Sequence, residues 1–286
     1  MHQPINHHWF PKCLMQPWVS SLDSRVESFY RHPAKVASSR KSLKGIGSER
    51  NLHTLEALGD EGRNHIELEF QKIEERYAIV RDLIKEDRFH EVTSAQRGEF
   101  AFMLWSLPLR RNVRFLDGSR TSTEGWKESL QELIDKNIAQ GKINDRYAED
   151  LLNTLGKGIY FDAMLSFCKE MAVDLCKLNW AIFRFNHPRL KLVLSDRPLS
   201  RKVDFAGNVT FKMPITPNHL FIASTKLAAD QVEYREEFSE ILLVKTIGEQ
   251  FRQASRFVVG VEREPYIKLA EVHMREVDQD PPTGTL

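Results

Sequence analysis

The sequence lacks the features that mark membrane insertion, export and covalent cross-linking. No apolar run approaches the roughly 18 to 20 residues that a membrane span requires. The opening Met1-His2-Gln3-Pro4 has neither the basic start nor the apolar stretch of a signal peptide. A soluble, cytoplasmic protein with no membrane partner is the expectation. The three cysteines, Cys13, Cys168 and Cys176, are an odd number in a chain without an export signal, which points to reduced thiols. Cys168 and Cys176 fall in one expected helix, where their spacing corresponds to a rise of about 12 Å, more than a disulfide spans. They read as small packing residues. Charge of one sign is missing as well. Lys and Arg total 41 against 40 Asp and Glu, a net charge of +1, so the chain has no field suited to a dedicated duplex-DNA binder. Any polyanion site must be a local patch.

Several chemical signatures are absent too. There is no Walker-type Gly-Lys-Ser/Thr, no Gly-x-Gly-x-x-Gly, no His-Glu-x-x-His, no Cys-x-x-Cys and no Gly-x-Ser-x-Gly. P-loop ATP hydrolysis, Rossmann redox chemistry and structural zinc are therefore not expected. Gly45-Ile46-Gly47 and Gly156-Lys157-Gly158 remain, but neither precedes a Lys-Ser/Thr or follows a strand pattern. The second pair reads as a helix irregularity.

What is present is enough apolar material, 41% of 286 residues, for a sizeable core. Trp18-Val19 and Val26 to Tyr30 flank the polar Ser20 to Ser24 and predict a hairpin. Arg31 to Arg50 carries six Lys and Arg residues against Glu49 alone, interleaved with serine and glycine. It is expected to be a basic, flexible loop. From Leu58 the period turns helical, with Ile66, Phe70, Ile73, Tyr77, Val80 and Ile84 alternating spacings of four and three. A second helix holds Phe100 to Trp105 and meets Pro108. A third fits Glu124 to Ala139, and a fourth fits Asp145 to about Lys177, with a bend near its glycines. Two adjoining strands are expected across Trp180 to Phe185 and Leu190 to Leu194. Further strands follow at Val209 to Met213 and His219 to Ala223, then a last amphipathic helix over Glu236 to Val259. No internal repeat interrupts this order. The economical architecture is a single α+β domain over 1–277, its helical middle packed on a mixed or antiparallel sheet built from N-terminal and C-terminal segments. The Pro, Gly and Asp-rich 278–286 is expected to be a disordered tail.

Three clusters could carry chemistry. His7 and His8, beside Trp9, Phe10 and Pro11, could be held near the imidazole titration range as acid, base or metal ligand. The plainer reading is a strand with one packed and one solvent-facing histidine. Glu67 and Glu74 lie on nearly the same side of the first helix, at the edge of its apolar stripe, where a carboxylate coordinates a cation or clamps an arginine. An ordinary salt bridge, to Arg63 for example, is the simpler role. Ser195-Asp196-Arg197-Pro198 puts a hydroxyl and a carboxylate where a strand ends, at a sheet rim where ligands commonly sit. Against this stands a turn in which Asp196 accepts backbone N–H groups. Basic stretches at Arg110, Arg111 and Arg114 and from Arg184 to Lys202 are either phosphate-binding or merely solvated.

These clusters, in this order, resemble the bacterial family called domain of unknown function 4238. The resemblance rests on His7-His8-Trp9-Phe10-Pro11, on Asn51 to Leu55, on the pairs Ile66-Glu67 and Ile73-Glu74, and on Arg111-Asn112. Leu194 to Pro198 and the proline pair in Phe211 to Pro217 complete it. Val113 departs from the family, which tends to carry proline there. The family name implies no reaction, and the resemblance supports only the choice of site residues.

The resulting expectation is a hydrolase, phosphodiesterase or nuclease-like, acting on an anionic substrate in a bacterial conflict or defence setting. His8 would be the general acid/base, and Asp196 and Glu67 would hold a divalent cation or orient the histidine. Arg111 and Arg197 would bind phosphate charge, with Ser195 at the rim. A divalent cation is the candidate cofactor, and nucleic acid or a small anion the candidate partner. The alternative is a noncatalytic sensor or protein-interaction module whose polar cluster is structural and whose tail and basic loop serve a protein partner. The enzyme reading requires His8, Glu67, Arg111 and Asp196 to line one concavity.

Overall fold

The computed structural model describes residues 6–32, 35–55, 64–110, 124–227 and 239–274. Its centre is helical. The stripe from Ile66 to Ile84 is buried along α2 (His65–Lys85), as its spacing requires. Helix α3 (Ser94–Arg110) packs against both α2 and α5 (Asp145–Cys176), and α4 (Glu124–Ala139) lies on α5. The side chain of Asn144 caps α5 by accepting the Tyr147 N–H at 2.8 Å. This helix runs through Gly156 and Gly158 without a break, so the expected irregularity is not there. Helix α3 likewise continues two residues beyond Pro108.

Around the helices lie two four-stranded antiparallel sheets and a two-stranded ribbon. The ribbon pairs β1 (Asn6–His8) with β4 (Ser48–Arg50). The first sheet has the order β3-β2-β10-β6, from Lys35–Lys41, Val26–His32, Phe257–Gly260 and Leu194–Ser195. The second has the order β5-β9-β8-β7, from Asn179–Arg184, His219–Ser224, Val209–Thr216 and Ser200–Val203. The α+β class is as expected, and N-terminal and C-terminal segments do share a sheet.

Four details differ from the sequence reading. The expected hairpin across Ser20 to Ser24 is instead a short helix α1 (Lys12–Met15) running into a helical turn at Gln16–Trp18 and then a tight turn, with Ser24 at φ 56. Trp18 is pulled inward, its indole N–H donating to the Leu192 carbonyl at 2.7 Å. Strand β2, which covers the expected strand from Val26 to Tyr30, pairs instead with β3, and β3 lies within the stretch expected to be a flexible basic loop. Backbone pairing needs no apolar side chains, and the cations along β3 suit an edge strand, where charge discourages further pairing. Leu190 to Leu194 does not form a strand beside β5. The chain crosses there to the first sheet, burying Leu192 and Val193 on the way. The last amphipathic helix is shorter than expected, α6 (Ser239–Gln253), because the apolar spacing gives way to the continuous run of β10; α7 (Tyr266–His273) follows. The expected tail, 278–286, lies outside the described residues.

The Ser195-Asp196 segment is stitched into the junction between α6 and β10. Gln250 on α6 accepts the Ser195 N–H at 2.9 Å and its hydroxyl at 2.8 Å, and donates to the Pro198 carbonyl at 3.0 Å. The buried Asp196 carboxylate accepts the Ser255 N–H and hydroxyl, each at 2.8 Å, and the Arg256 N–H at 3.0 Å. Asp196 thus accepts backbone N–H groups as the turn reading expected, but those of the distant Ser255-Arg256 turn and not of its own, and it holds the turn that feeds β10 into the middle of the sheet. Asp196→Ala is therefore expected to cost about 2 to 4 kcal/mol in a denaturant titration. A loss within experimental error would remove Asp196 from the folding role.

A second polar junction ties the end of α2 to the turn between β8 and β9. Asp87, just past α2 at φ 60, accepts from His219 Nε2 at 3.1 Å and from Arg184 at 2.5 Å. His219 Nδ1 in turn accepts the Thr216 hydroxyl at 2.8 Å. Burial holds His219 below the usual imidazole range despite the Asp87 carboxylate, and burial followed by the charge of Lys12 does the same to His8. Both histidines favour the neutral form in the folded state. Their stabilisation is complete above the ordinary value near 6.5 and fades as pH falls through it. Tm should thus decline between pH 7 and pH 5, with a shallower slope in His219→Gln.

Candidate functional site

The N-terminal ribbon and the start of α2 assemble the main polar cluster. Strand alternation on β1 turns His7 into the core and leaves His8 half-buried. Gly47, at φ 65, keeps the ribbon close to the following segment. A Cβ there would sit 2.6 Å from that of Phe10, whose N–H donates to the Gly47 carbonyl at 3.1 Å. Past β4 the chain reverses at Asn51, φ 54, and this returns His53 to His7. The His53 backbone N–H donates to His7 Nδ1 at 2.8 Å, and the two rings stack with centroids 5.4 Å apart and planes 7° from parallel. The other flank of His53 meets Phe70 at 4.9 Å.

Glu67, in the first turn of α2, completes the cluster. Its Oε2 lies 2.9 Å from His53 Nδ1. A carboxylate accepts, so Nδ1 carries the proton and Nε2 holds the lone pair. That Nε2 is buried and has no hydrogen-bond partner among the described residues. Burial opposes the charge on Glu67, but the His53 hydrogen bond, His7 and Arg110 together outweigh it and hold the carboxyl below its usual range. His8 Nε2 lies 3.3 Å from the Leu43 carbonyl, and the Glu67 charge reaches it.

Donor atoms of His7, His53 and Glu67 all lie within 4.8 Å of one another, close enough for a cation to draw together. The hydrogen bonds now in place suit proton transfer better. His7 uses its Nδ1 lone pair on a backbone N–H, and lone pairs in near-parallel rings do not converge on one point unless the ring planes coincide.

Behind this trio lies a buried ion pair. Arg110, at the end of α3, is 0% exposed and sets Nη1 2.5 Å from Glu74 Oε1. Its Nε donates to Ser106 at 3.3 Å, and its guanidinium lies 4.1 Å from the centre of the Phe70 ring. Phe70 therefore touches both His53 and Arg110. The same surroundings push the Cys13 and Tyr77 hydrogens to bind more tightly, since burial raises both groups far above their usual values.

Of the residues expected to form the site, His8 and Glu67 belong to this cluster. Ser195 and Asp196 belong to the α6–β10 junction, with Arg197 exposed beside it. The expected concavity of His8, Glu67, Arg111 and Asp196 is therefore not assembled among the described residues, and a site at the histidine cluster has to rest on His53 in place of Asp196. Arg111 lies outside the described residues. Sequence reasoning quoted His53 only within the Asn51 to Leu55 motif of the resemblance and gave it no role, since its surroundings carry no periodic signal, and placed Arg110 only in a basic stretch. The expectation that an edge carboxylate clamps an arginine is met by Glu74, with Arg110 as its partner.

The chain matches the model of a family described as "protein of unknown function (DUF4238)" over residues 6–264. No curated protein and no solved structure matches it. The matched span opens on β1 and contains the histidine cluster, the Glu74–Arg110 pair and the Asp196 cap, and on that match the chain belongs to the DUF4238 family of proteins of unknown function.

Proposed function

We propose that the protein is a hydrolase of a phosphoester-type anionic substrate, with His53 transferring the proton and Glu67 orienting it. The observation that carries this reading is the 2.9 Å contact between His53 Nδ1 and Glu67. A carboxylate on one imidazole nitrogen fixes the tautomer and stabilises the imidazolium that forms when the other nitrogen takes a proton. In this role Nε2 removes a proton from water and returns it to the leaving oxygen. His8, kept neutral by burial and by Lys12, is the second acid/base group at the more exposed side. Lys12 supplies positive charge beside it, which favours an anion.

One observation favours the noncatalytic reading. His7 and His53 are both 0% exposed and bonded to one another, as members of a structural network would be.

Glu67→Gln separates the two. The amide still accepts the His53 N–H, but the charge is gone. The wild type is expected to hydrolyse bis(p-nitrophenyl) phosphate or a short oligonucleotide, and the variant to lose on the order of 10²- to 10⁴-fold in kcat with Tm changed by only a few degrees. No turnover by the wild type on either substrate, with a large drop in Tm for the variant, would establish the network instead. Activity abolished by a chelator and restored by a divalent ion would reassign His7, His53 and Glu67 as ligands.

A further inference from the structure

The open edge of the second sheet carries a different polar cluster. Ser200 and Lys202 lie on one face of β7, and Lys212 of β8 is directly opposite Ser200 in the register. Cross-strand partners share a face, and that face meets α6. There Glu249 takes Lys202 on Oε1 and the Nζ of Lys212 on Oε2, the latter at 2.6 Å. Lys212 and Glu249 are both buried.

Lys245, one turn earlier on α6, adds a third ammonium. Burial holds Lys212 below the ordinary lysine range even with Glu249 in contact, and the charges of Lys202 and Lys245 push in the same direction as burial. Three ammonium groups thus gather around one carboxylate, Lys212 buried against it and Lys202 and Lys245 on the exposed side, an excess of two positive charges. Glu249 already meets the buried Lys212, and neither Lys202 nor Lys245 has a second carboxylate in an ion pair among the described residues. Two hydroxyls accompany these groups: Ser200 Oγ and Thr246 Oγ1 are buried without a hydrogen-bond partner among the described residues, and Thr246 is 1% exposed. Thr246 precedes Glu249 by one turn of the helix.

We propose that this junction of β7, β8 and α6 binds a small phosphorylated anion. A phosphate dianion balances the excess charge, whereas a single carboxylate leaves half of it. Its several oxygens accept from ammonium groups and hydroxyls at once, which meets both orphaned hydroxyls. Lys202, at the end of the basic run from Arg184, acquires a role here that the histidine cluster does not give it.

Isothermal titration calorimetry of the full chain with inorganic phosphate and pyrophosphate, against acetate and chloride at equal ionic strength, tests this. Phosphate and pyrophosphate are expected to bind and to raise Tm, and acetate and chloride are not. Lys245→Gln and Thr246→Val, at an exposed charge and with a near-isosteric side chain, should each weaken binding by about tenfold while leaving the near-ultraviolet circular dichroism unchanged. Glu67→Gln should leave phosphate binding intact, which separates this site from the histidine cluster. Phosphate binding no better than chloride, or binding indifferent to Lys245 and Thr246, would overturn the proposal. So would an oligonucleotide held through the same lysines by a protein that ignores inorganic phosphate.

Discussion

A carboxylate at the edge of a buried helical stripe has to be met by a donor, because water reaches it only in part and an unpaired charge there is costly. Helix α2 carries two, Glu67 and Glu74, two turns apart. The fold answers the first with a histidine delivered by the turn after β4, and the second with an arginine from the far end of α3. Phe70, between them on α2, touches both partners. The placement of the N-terminal ribbon and of the end of α3 is thereby tied to one face of one helix. The acid/base chemistry proposed for His53 and the packing of the helical core draw on the same four side chains.

Much of this was legible in the sequence, and the reasons are local. The apolar stripe of α2 repeats with the helical period, so both the helix and the edge position of its carboxylates follow from spacing alone. The same is true of α4 and α5, which close at their expected ends. The strand β8 was also visible, although it runs through Pro214 by shifting register between Pro214 and Thr216, a place where a strand tolerates proline. His53 was not legible. It lies in a turn whose geometry depends on Asn51 adopting a left-handed backbone, and no periodicity connects it with His7 or Glu67. Strand β3 was hidden for a different reason: its pairing is made by the backbone, while its side chains are those of a solvated edge.

Asp196 shows how one pattern serves two ends. A Ser-Asp pair closing a strand is a reasonable ligand rim, and it is equally a way to satisfy N–H groups where a chain turns. Here the carboxylate is held by Ser255 and Arg256, at the turn that leads into β10. The histidine cluster and the lysine cluster differ from it in kind. Each retains buried polar atoms, His53 Nε2 in one and the Ser200 and Thr246 hydroxyls in the other, with no hydrogen-bond partner among the described residues.

The interleaving of the first sheet also governs the order in which the molecule is made. Strand β10 lies between β2 and β6, and Tyr30 pairs with Phe257, so β2 waits for all the elements between before this neighbour exists. Until then β2 has β3 on one side and an open edge on the other. The helices from α2 to α5 are adjacent in sequence and can pack beforehand, since contacts close in sequence form first. An emerging chain therefore holds a formed helical core beside an incomplete sheet, the state in which unpaired strand edges invite misassembly. Closure of the first sheet is the step that ends this exposure, and it waits on β10, far along the chain from β2.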